Sequence, residues 1–167
     1  MTLEALNKLS AGQAKIEFSK CCGAKKWVDQ MERGRPYKDV DGLLELAAQV
    51  WNNSTEEDWR EAFTHHPKIG DVDSLEKKFT NTKEWAGNEQ QSVETASRST
   101  IEQLAEMNTR YEGRFGFIFI VCATGKSASE MLEILNSRID NDQQKELRIA
   151  MEEQGKITAL RLKKILT

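Results

Sequence analysis

The chain has 167 residues, and its 24 basic and 27 acidic side chains give a formal net charge of −3. This near balance argues against a dedicated nucleic-acid surface, which usually carries a basic excess on one face. No apolar run approaches the roughly 20 residues that span a bilayer, and the first residues lack the pattern of a signal peptide. We therefore expect one cytoplasmic domain with neither a nucleic-acid nor a membrane partner.

The chain contains three cysteines, Cys21, Cys22 and Cys122. They form a poor disulfide framework, because their number is odd and two of them are adjacent. No Cys-x-x-Cys pair is present that would suggest zinc or redox chemistry. We expect reduced thiols that serve as small core side chains in a cytosolic protein.

The N-terminal half is predicted to be helical, because it is rich in Glu, Lys, Leu and Ala and the whole chain has only two prolines. A first helix covers residues 11–22 and stops at Gly23, and a short second helix covers residues 25–31. Asp41 is expected to cap a third helix. Ser54, with a glutamate three residues later, is expected to open a fourth.

The C-terminal half is also predicted to be helical, apart from one apolar run. Helices are predicted around residues 75–79, over residues 88–112, from Ser127 onwards and over residues 141–165. Gly113 is expected to end the second of these, and Gly155 is a candidate point at which the last one divides. Residues 115–123 are strand-like and continuously apolar, so we expect them to be buried. A lone strand has no partner for its backbone groups, and periodicity does not distinguish an extended segment from a buried helix. The predicted fold is therefore all-α, a single-domain bundle of about eight helices with a buried apolar segment at Phe115–Ala123.

Both histidines lie in one short loop, where His66 directly precedes Pro67. A residue before proline is disfavoured in the helical conformation, and Pro67 stiffens the loop, so His66 is presented from a rigid, non-helical backbone. Histidine is also the side chain best suited to proton transfer near neutral pH. His66 is therefore the leading catalytic candidate, and a helix-end histidine bonded to a backbone carbonyl is the alternative. His65 is the weaker candidate, because its side chain is expected to point the other way.

Two charged residues are further candidates. Glu89 lies near the start of the long predicted helix, where the helix dipole stabilises a carboxylate that can orient a histidine, and Gln90 beside it can read the polar edges of a substrate. Arg161 lies between two leucines, and its planar guanidinium can bind a carboxylate or a ureido oxygen. A favourable first-turn glutamate and a surface ion pair are the respective alternatives.

A metal site is a weaker hypothesis. His65, His66, Asp71 and Asp73 are metal-ligand residue types, but their spacing does not match a helical His-x-x-x-His site. A metal-dependent hydrolase and a helical protein-interaction module without catalysis therefore stay as alternative functions.

Four sequence motifs resemble those of a known protein family, and they occur in the same order along the chain. They are His-Pro-Lys-Ile-Gly-Asp at 66–71, Trp-Ala-Gly-Asn-Glu-Gln at 85–90, Asn-Thr-Arg-Tyr at 108–111 leading into Arg-Phe-Gly-Phe-Ile-Phe-Ile at 114–120, and Lys-Ile-Thr-Ala-Leu-Arg-Leu at 156–162. The chain resembles the 2-oxo-4-hydroxy-4-carboxy-5-ureidoimidazoline (OHCU) decarboxylases in these motifs, and also in Cys21-Cys22-Gly23 and Trp27. The resemblance covers essentially the whole chain.

The resemblance implies an all-α fold, usually a homodimer, that converts OHCU to (S)-allantoin and CO2 in urate degradation without a metal or an organic cofactor. OHCU decarboxylates slowly by itself to a racemic product, so the enzyme supplies stereocontrol as well as rate. By motif match, His66 takes the catalytic histidine position and Glu89 that of its acidic partner, and together they manage proton transfer. The substrate-binding positions fall on Pro67, Ala86, Gly87, Asn88, Gln90, Phe119, Ile120, Val121, Cys122, Ala123 and Arg161. Ala86 departs from the family, whose members commonly have serine there, so one hydroxyl contact is missing.

Overall fold

The structure, a computed structural model, describes residues 1–66, 72, 73, 75 and 90–167, and for residues 90–97 it describes the backbone alone. These residues contain eight helices and no strand, which confirms the all-α prediction for the described part of the chain. The helices are α1 (Leu3–Lys8), α2 (Ala11–Ser19), α3 (Lys25–Arg33), α4 (Val40–Asn52), α5 (Glu56–Thr64), α6 (Gln90–Phe115), α7 (Ala128–Arg138) and α8 (Gln143–Ile165). None of these helices has both the length and the apolar character that crossing a membrane requires. The helix expected at 75–79 lies outside the described residues except for Leu75, which is helical.

The described residues fall into two compact units. Unit 1 comprises Met1–His66, Ile120–Cys122 and Ile149–Thr167. Unit 2 comprises the described residues from 72 to 119 together with Ala123–Arg148. Helices α1 to α5 and most of α8 belong to unit 1, whereas α6, α7 and the start of α8 belong to unit 2. The single-domain organisation stays a prediction.

The core of unit 1 is built around Trp27 of α3. Its side chain is fully buried, and its Nε1–H donates to the carbonyl of Ala47 on α4 at 3.1 Å. The ring of Phe18, on α2, meets the Trp27 ring edge-on with 6.2 Å between centroids. Each such buried side chain contributes roughly 1.5–3 kcal/mol through the hydrophobic effect. These contacts lock α2, α3 and α4 together.

Helix α4 begins earlier than predicted. Asp39 is its N-cap, and the Asp39 carboxylate accepts the backbone N–H of Gly42 at 2.8 Å. Asp41 lies inside the first turn, where its charge complements the helix dipole, so the prediction that Asp41 caps this helix is wrong.

Helix α5 begins one residue later than predicted. Thr55 is the N-cap, and Thr55 and Asp58 form a reciprocal capping box in which the Asp58 carboxylate accepts the N–H of Thr55 at 3.0 Å. Ser54 instead donates its hydroxyl to the carbonyl of Val50 at 2.7 Å, at the end of the preceding helix. The prediction that Ser54 caps α5 is therefore wrong, although the capping-box pattern itself is present.

Two glycines that were expected to stop or divide helices lie inside them. Helix α6 continues through Gly113 to Phe115, and the chain turns at Gly116, whose φ of 78° suits glycine. Helix α8 continues through Gly155, where an added Cβ would lie 3.3 Å from Cδ1 of Trp51. Gly155 thus allows a close approach of Trp51, whose indole Nε1–H donates to the carbonyl of Met151 at 2.8 Å.

The core of unit 2 surrounds a buried ion pair. The Arg138 guanidinium bonds Oε1 of Glu146 at 2.5 Å, and the Glu146 side chain is fully buried. The hydroxyl of Tyr111 donates to the same oxygen at 2.5 Å, and Asn141 donates to Oε2 at 3.0 Å. Burial and this hydrogen bond to Glu146 raise the pKa of Tyr111, so it stays a neutral donor.

The structure shows that most of the apolar segment is not a buried helix, one of the two conformations that its sequence allowed. Residues 117–123 are neither helix nor strand. Phe117 and Ile120 are buried, whereas Phe119 and residues 121–123 are half-buried. The Phe117 and Phe119 rings both lie against Tyr111, at 5.9 and 5.2 Å between centroids. The segment is therefore irregular rather than helical, and it is buried at some positions and half-buried at others.

Candidate active site

His66 lies just beyond the end of α5, as its position before a proline predicted. The helix ends at Thr64, and the backbone N–H of His66 still donates to the carbonyl of Phe63 at 3.3 Å. The imidazole is half-buried and its Nε2 atom bonds Oε1 of Gln154, on α8 of the same unit. His66 is thus held by its backbone at one side and by a helix remote in sequence at the other.

Gln154 belongs to a line of polar groups on α8. Its side chain is only 1% exposed, and its Nε2 donates to the Thr158 hydroxyl at 3.1 Å. The Thr158 hydroxyl in turn donates to the carbonyl of Cys21 at 3.4 Å. Arg161 follows on the same side of the helix, because residues spaced by four and then three share a face.

His65 makes different contacts from those of His66. Its Nδ1 donates to the carbonyl of Glu61, one turn back in α5, at 2.9 Å. A Cβ added at Gly23 would lie 2.3 Å from Cγ of His65, so only glycine fits against this imidazole. His65 is therefore a helix-end histidine that bonds a backbone carbonyl and packs against Gly23.

All three cysteines are free, and Cys21 and Cys22 are buried in unit 1 as expected of core side chains. Cys122 is half-buried, so it departs from that expectation. Burial raises the pKa of Cys21 to about 12 and that of Cys22 to about 11, and the positive charge of Arg161 opposes the rise at both. The thiols are therefore neutral core groups near neutral pH. Arg161 itself is half-buried.

The segment 120–122 is tied to α8 next to Gln154. The backbone N–H of Cys122 donates to Oε2 of Glu153 at 2.9 Å. Oε1 of Glu153 is bonded by Lys156 at 3.0 Å, and this bond is the largest cause of a raised pKa at Lys156. Consecutive residues of α8, Glu153 and Gln154, thus hold the segment 120–122 and His66.

The predicted substrate-binding stretch from Phe119 to Ala123 is divided between the two units. Ile120, Val121 and Cys122 belong to unit 1, together with His66 and Arg161. Phe119 and Ala123 belong to unit 2, where the Arg138 guanidinium lies 4.7 Å from the centroid of the Phe119 ring.

The other predicted site residues lie outside the described residues. They are Pro67, Ala86, Gly87, Asn88 and Glu89, and for Gln90 only the helical backbone at the start of α6 is described. The His66–Glu89 pair therefore stays a prediction. Of the four residues in the metal hypothesis, Asp71 also lies outside, and the described residues contain no group of three or more His, Cys, Asp or Glu side chains that could hold a metal ion.

The site predicted from the sequence lacks three residues that hold His66 or the segment 120–122 or support them, namely Glu153, Gln154 and Thr158. Gln154 and Thr158 share one helical face with Arg161, but this spacing does not by itself mark them as site residues, and Glu153 has no sequence signal. In unit 1 the structure assembles a half-buried imidazole, a half-buried guanidinium and a backbone segment fixed by a carboxylate. Such groups can move a proton, bind an anion and present backbone hydrogen bonds to a small polar molecule.

The chain matches known proteins over most of its length. A sequence model of the OHCU decarboxylase family matches residues 7–163. The uric acid degradation bifunctional protein TTL of Arabidopsis thaliana is 37% identical over 150 residues, which are 89% of this chain and 46% of that protein. The 2-oxo-4-hydroxy-4-carboxy-5-ureidoimidazoline decarboxylase of Haloferax volcanii is 26% identical over 97% of this chain and 94% of its own length.

Two solved structures share the fold. A crystal structure of OHCU decarboxylase in the presence of (S)-allantoin is 36% identical, has a TM-score of 0.73, and is matched over 90% of this chain and 96% of that one. A crystal structure of (S)-allantoin synthase has the same TM-score of 0.73 at 14% identity, which shows the fold alone. The chain spans 46% of the Arabidopsis bifunctional protein and 32% of a bifunctional relative from Bacillus sp.. The chain belongs to the OHCU decarboxylase family.

Proposed function

We propose that the protein is a carboxy-lyase that converts OHCU to (S)-allantoin and CO2 in urate degradation. The observation that carries this proposal is the family match over residues 7–163, supported by 36% identity to an OHCU decarboxylase crystallised with (S)-allantoin. The position of His66 beyond α5, bonded to a buried amide, adds support from the geometry. An imidazole held in this way is suited to controlled proton transfer.

The reaction needs one bond broken and one proton delivered. The bond between the ring carbon and the carboxylate breaks, CO2 leaves, and the electron pair enters the adjacent unsaturated ring. A proton then adds from one face to the neighbouring ring carbon, which carries the ureido group, and sets the (S) configuration. The hydroxyl on the decarboxylated carbon loses its proton and becomes the carbonyl of the product. We assign this proton traffic to His66 with Glu89 as its acidic partner. An apolar wall from Phe119 to Ala123 favours the loss of charge as neutral CO2 departs.

We assign substrate binding to groups that match the polar edges of the substrate. The Arg161 guanidinium suits the carboxylate or the ureido oxygen, because it offers a planar fork of donors. Backbone groups of residues 120–122 suit the ring amides, and their position on α8 is fixed by Glu153. Pro67 and the stretch from Ala86 to Gln90 complete the proposed site by motif match, without the serine hydroxyl that relatives have at position 86.

We further propose a cytoplasmic homodimer. The family resemblance supports the dimer, and the three free cysteines are in keeping with a reducing compartment. Sedimentation equilibrium tests the dimer directly, because a mass of one chain at every concentration would rule it out.

The test of the function uses OHCU generated fresh from urate and follows CO2 release and optical activity together. We expect His66→Asn to lower the rate by about 10²–10⁴-fold, as removal of a general acid or base typically does. His65→Asn is the matched control and should retain the rate, because Nδ1 of His65 bonds groups at the end of its own helix, the carbonyl of Glu61 at 2.9 Å and the hydroxyl of Thr64 at 3.4 Å. No acceleration by the unmodified protein would instead favour a helical interaction module. Loss of activity on adding a chelator would favour a metal-dependent hydrolase.

A further inference from the structure

We propose that Gln154 is a positioning residue that fixes the proton of neutral His66 on Nε2 and so makes Nδ1 the basic nitrogen of the site. The inference rests on the proposed function, because it gives His66 a defined side from which it exchanges protons. The Nε2 atom of His66 bonds Oε1 of Gln154, and the two residues are 88 positions apart in sequence.

The orientation of the Gln154 amide follows from the far end of the hydrogen-bond chain. The carbonyl of Cys21 can only accept, so the Thr158 hydroxyl must donate to it. That hydroxyl has no second proton and therefore accepts from the Gln154 amide nitrogen, at 3.1 Å. The amide oxygen is then the atom that faces His66, and an oxygen can only accept from the imidazole.

The assignment of the imidazole proton follows directly. A neutral imidazole has one donor and one acceptor nitrogen, so a proton on Nε2 leaves Nδ1 as the acceptor. His65 has the opposite arrangement, because its Nδ1 donates to the carbonyl of Glu61 at 2.9 Å. The only two histidines of the chain are thus expected to be opposite tautomers.

The support for His66 is rigid as well as oriented. Gln154 is 1% exposed and Thr158 is 4% exposed, so water competes little for their hydrogen bonds. The turn of α8 that carries Gln154 is anchored by Trp51, whose indole donates to the carbonyl of Met151 at 2.8 Å. A buried amide held at both ends fixes the imidazole ring plane, which proton delivery to one face of a substrate requires.

Two substitutions of Gln154 distinguish a role in orienting His66 by a hydrogen bond from a role in packing alone. Gln154→Met has a similar shape and lacks the acceptor, whereas Gln154→Glu keeps the acceptor and adds a negative charge. We expect Gln154→Glu to raise the pKa of His66 and Gln154→Met to lower it, because an acceptor, and above all a charged one, favours the imidazolium. The charged groups on α5 and α8 nearest the pair in sequence, Glu61, Glu153 and Arg161, are the same in every variant.

The experiment records the side-chain ¹H–¹⁵N spectrum of both histidines against pH and measures kcat and KM on fresh OHCU. We expect Nε2–H at His66 and Nδ1–H at His65 in the unmodified protein. In Gln154→Met, kcat should fall about tenfold or more with KM within about twofold, whereas Gln154→Glu should keep kcat within about threefold above the pKa of His66. Gln49→Met, the same change at an exposed residue of α4, is the control and should alter neither reading.

Three results would overturn the inference. They are a His66 proton on Nδ1 in the unmodified protein, an equal pKa of His66 in all three proteins, and an unchanged kcat in Gln154→Met. Failure of the proposed function is recognised separately, because the spectra report the tautomer even if the unmodified protein does not accelerate decarboxylation.

Discussion

Glu153 accepts the backbone N–H of Cys122 at 2.9 Å, one residue before Gln154 reaches His66. Residues 120–122 and His66 are far apart in sequence, yet both are held by one turn of α8. Because the helical backbone fixes the spacing of Glu153 and Gln154, it also fixes the separation of the two groups that they hold.

Removal of the Glu153 charge should weaken substrate binding more than the chemical step. Glu153→Gln weakens the bond to Cys122, and a hydrogen bond to a charged group contributes about 1.5–3 kcal/mol. We expect KM to rise about five- to tenfold with kcat within about threefold, because the segment 120–122 binds substrate in the proposed mechanism. Glu152→Gln, at the exposed neighbouring position, should leave both constants unchanged. A fall in kcat alone would contradict the binding role.

A matched pair of glycine substitutions tests the packing around His65. Gly23→Ala places a Cβ 2.3 Å from Cγ of His65, whereas nothing lies within 4 Å of a Cβ at Gly12 in α2. We expect Gly23→Ala to lower the free energy of unfolding by about 1–3 kcal/mol through overpacking. Gly12→Ala should raise it by up to about 1 kcal/mol, because alanine favours the helix. Urea denaturation measures both, and equal effects of the two substitutions would contradict the close approach.

The buried thiols predict a loss of stability at alkaline pH. Burial raises the pKa of Cys22 from 9.0 to about 11 and that of Cys21 to about 12, so between these limits the unfolded chain loses protons that the folded chain retains. The free energy of unfolding should therefore fall above pH 9.0, by up to about 1.4 kcal/mol per pH unit for each thiol, and be unaffected by them below it. Urea denaturation with a reductant present, repeated at pH 8–11, measures the free energy of unfolding. It should fall less steeply with pH in Cys22→Ala than in the unmodified protein. Parallel curves would show that Cys22 is not buried in this way.

The ion pair of unit 2 should be more sensitive to loss of its carboxylate than to loss of its hydroxyl partner. Glu146→Gln leaves the Arg138 charge buried and uncompensated, which costs about 3–5 kcal/mol of unfolding free energy. Tyr111→Phe keeps the ion pair. It loses the hydrogen bond to Glu146, at a cost of about 1.5–3 kcal/mol, and the long hydrogen bond from Arg138 at 3.4 Å, which adds little. Chemical denaturation of both variants checks the order, and a larger loss for Tyr111→Phe would contradict it.

The sequence predicted the helices well where local chemistry controls them. Ser127 caps α7 as expected, because its hydroxyl accepts the N–H of Glu130 at 3.2 Å. Gly113 failed as a stop signal because its cost in a helix, about 1 kcal/mol, is smaller than the gain from burying Tyr111 and Phe115 on either side. Tertiary packing thus overrides the propensity of a single residue.

The candidate site was predictable only in part. His66 and Arg161 have sequence signals, a following proline and flanking leucines, and both belong to unit 1. Gln154 has no such signal, because its role depends on a contact across 88 positions that no local pattern encodes. The family resemblance supplied Glu89 and the residues around it, and their roles stay predictions.

The central claim is that this protein directs the proton to one face of the decarboxylated ring. The most direct measurement is the circular dichroism of the product formed from fresh OHCU at increasing protein concentrations, with His66→Asn alongside. We predict an (S)-allantoin excess that grows with the concentration of the unmodified protein, and racemic product with His66→Asn. Racemic product at every concentration of the unmodified protein would contradict the claim.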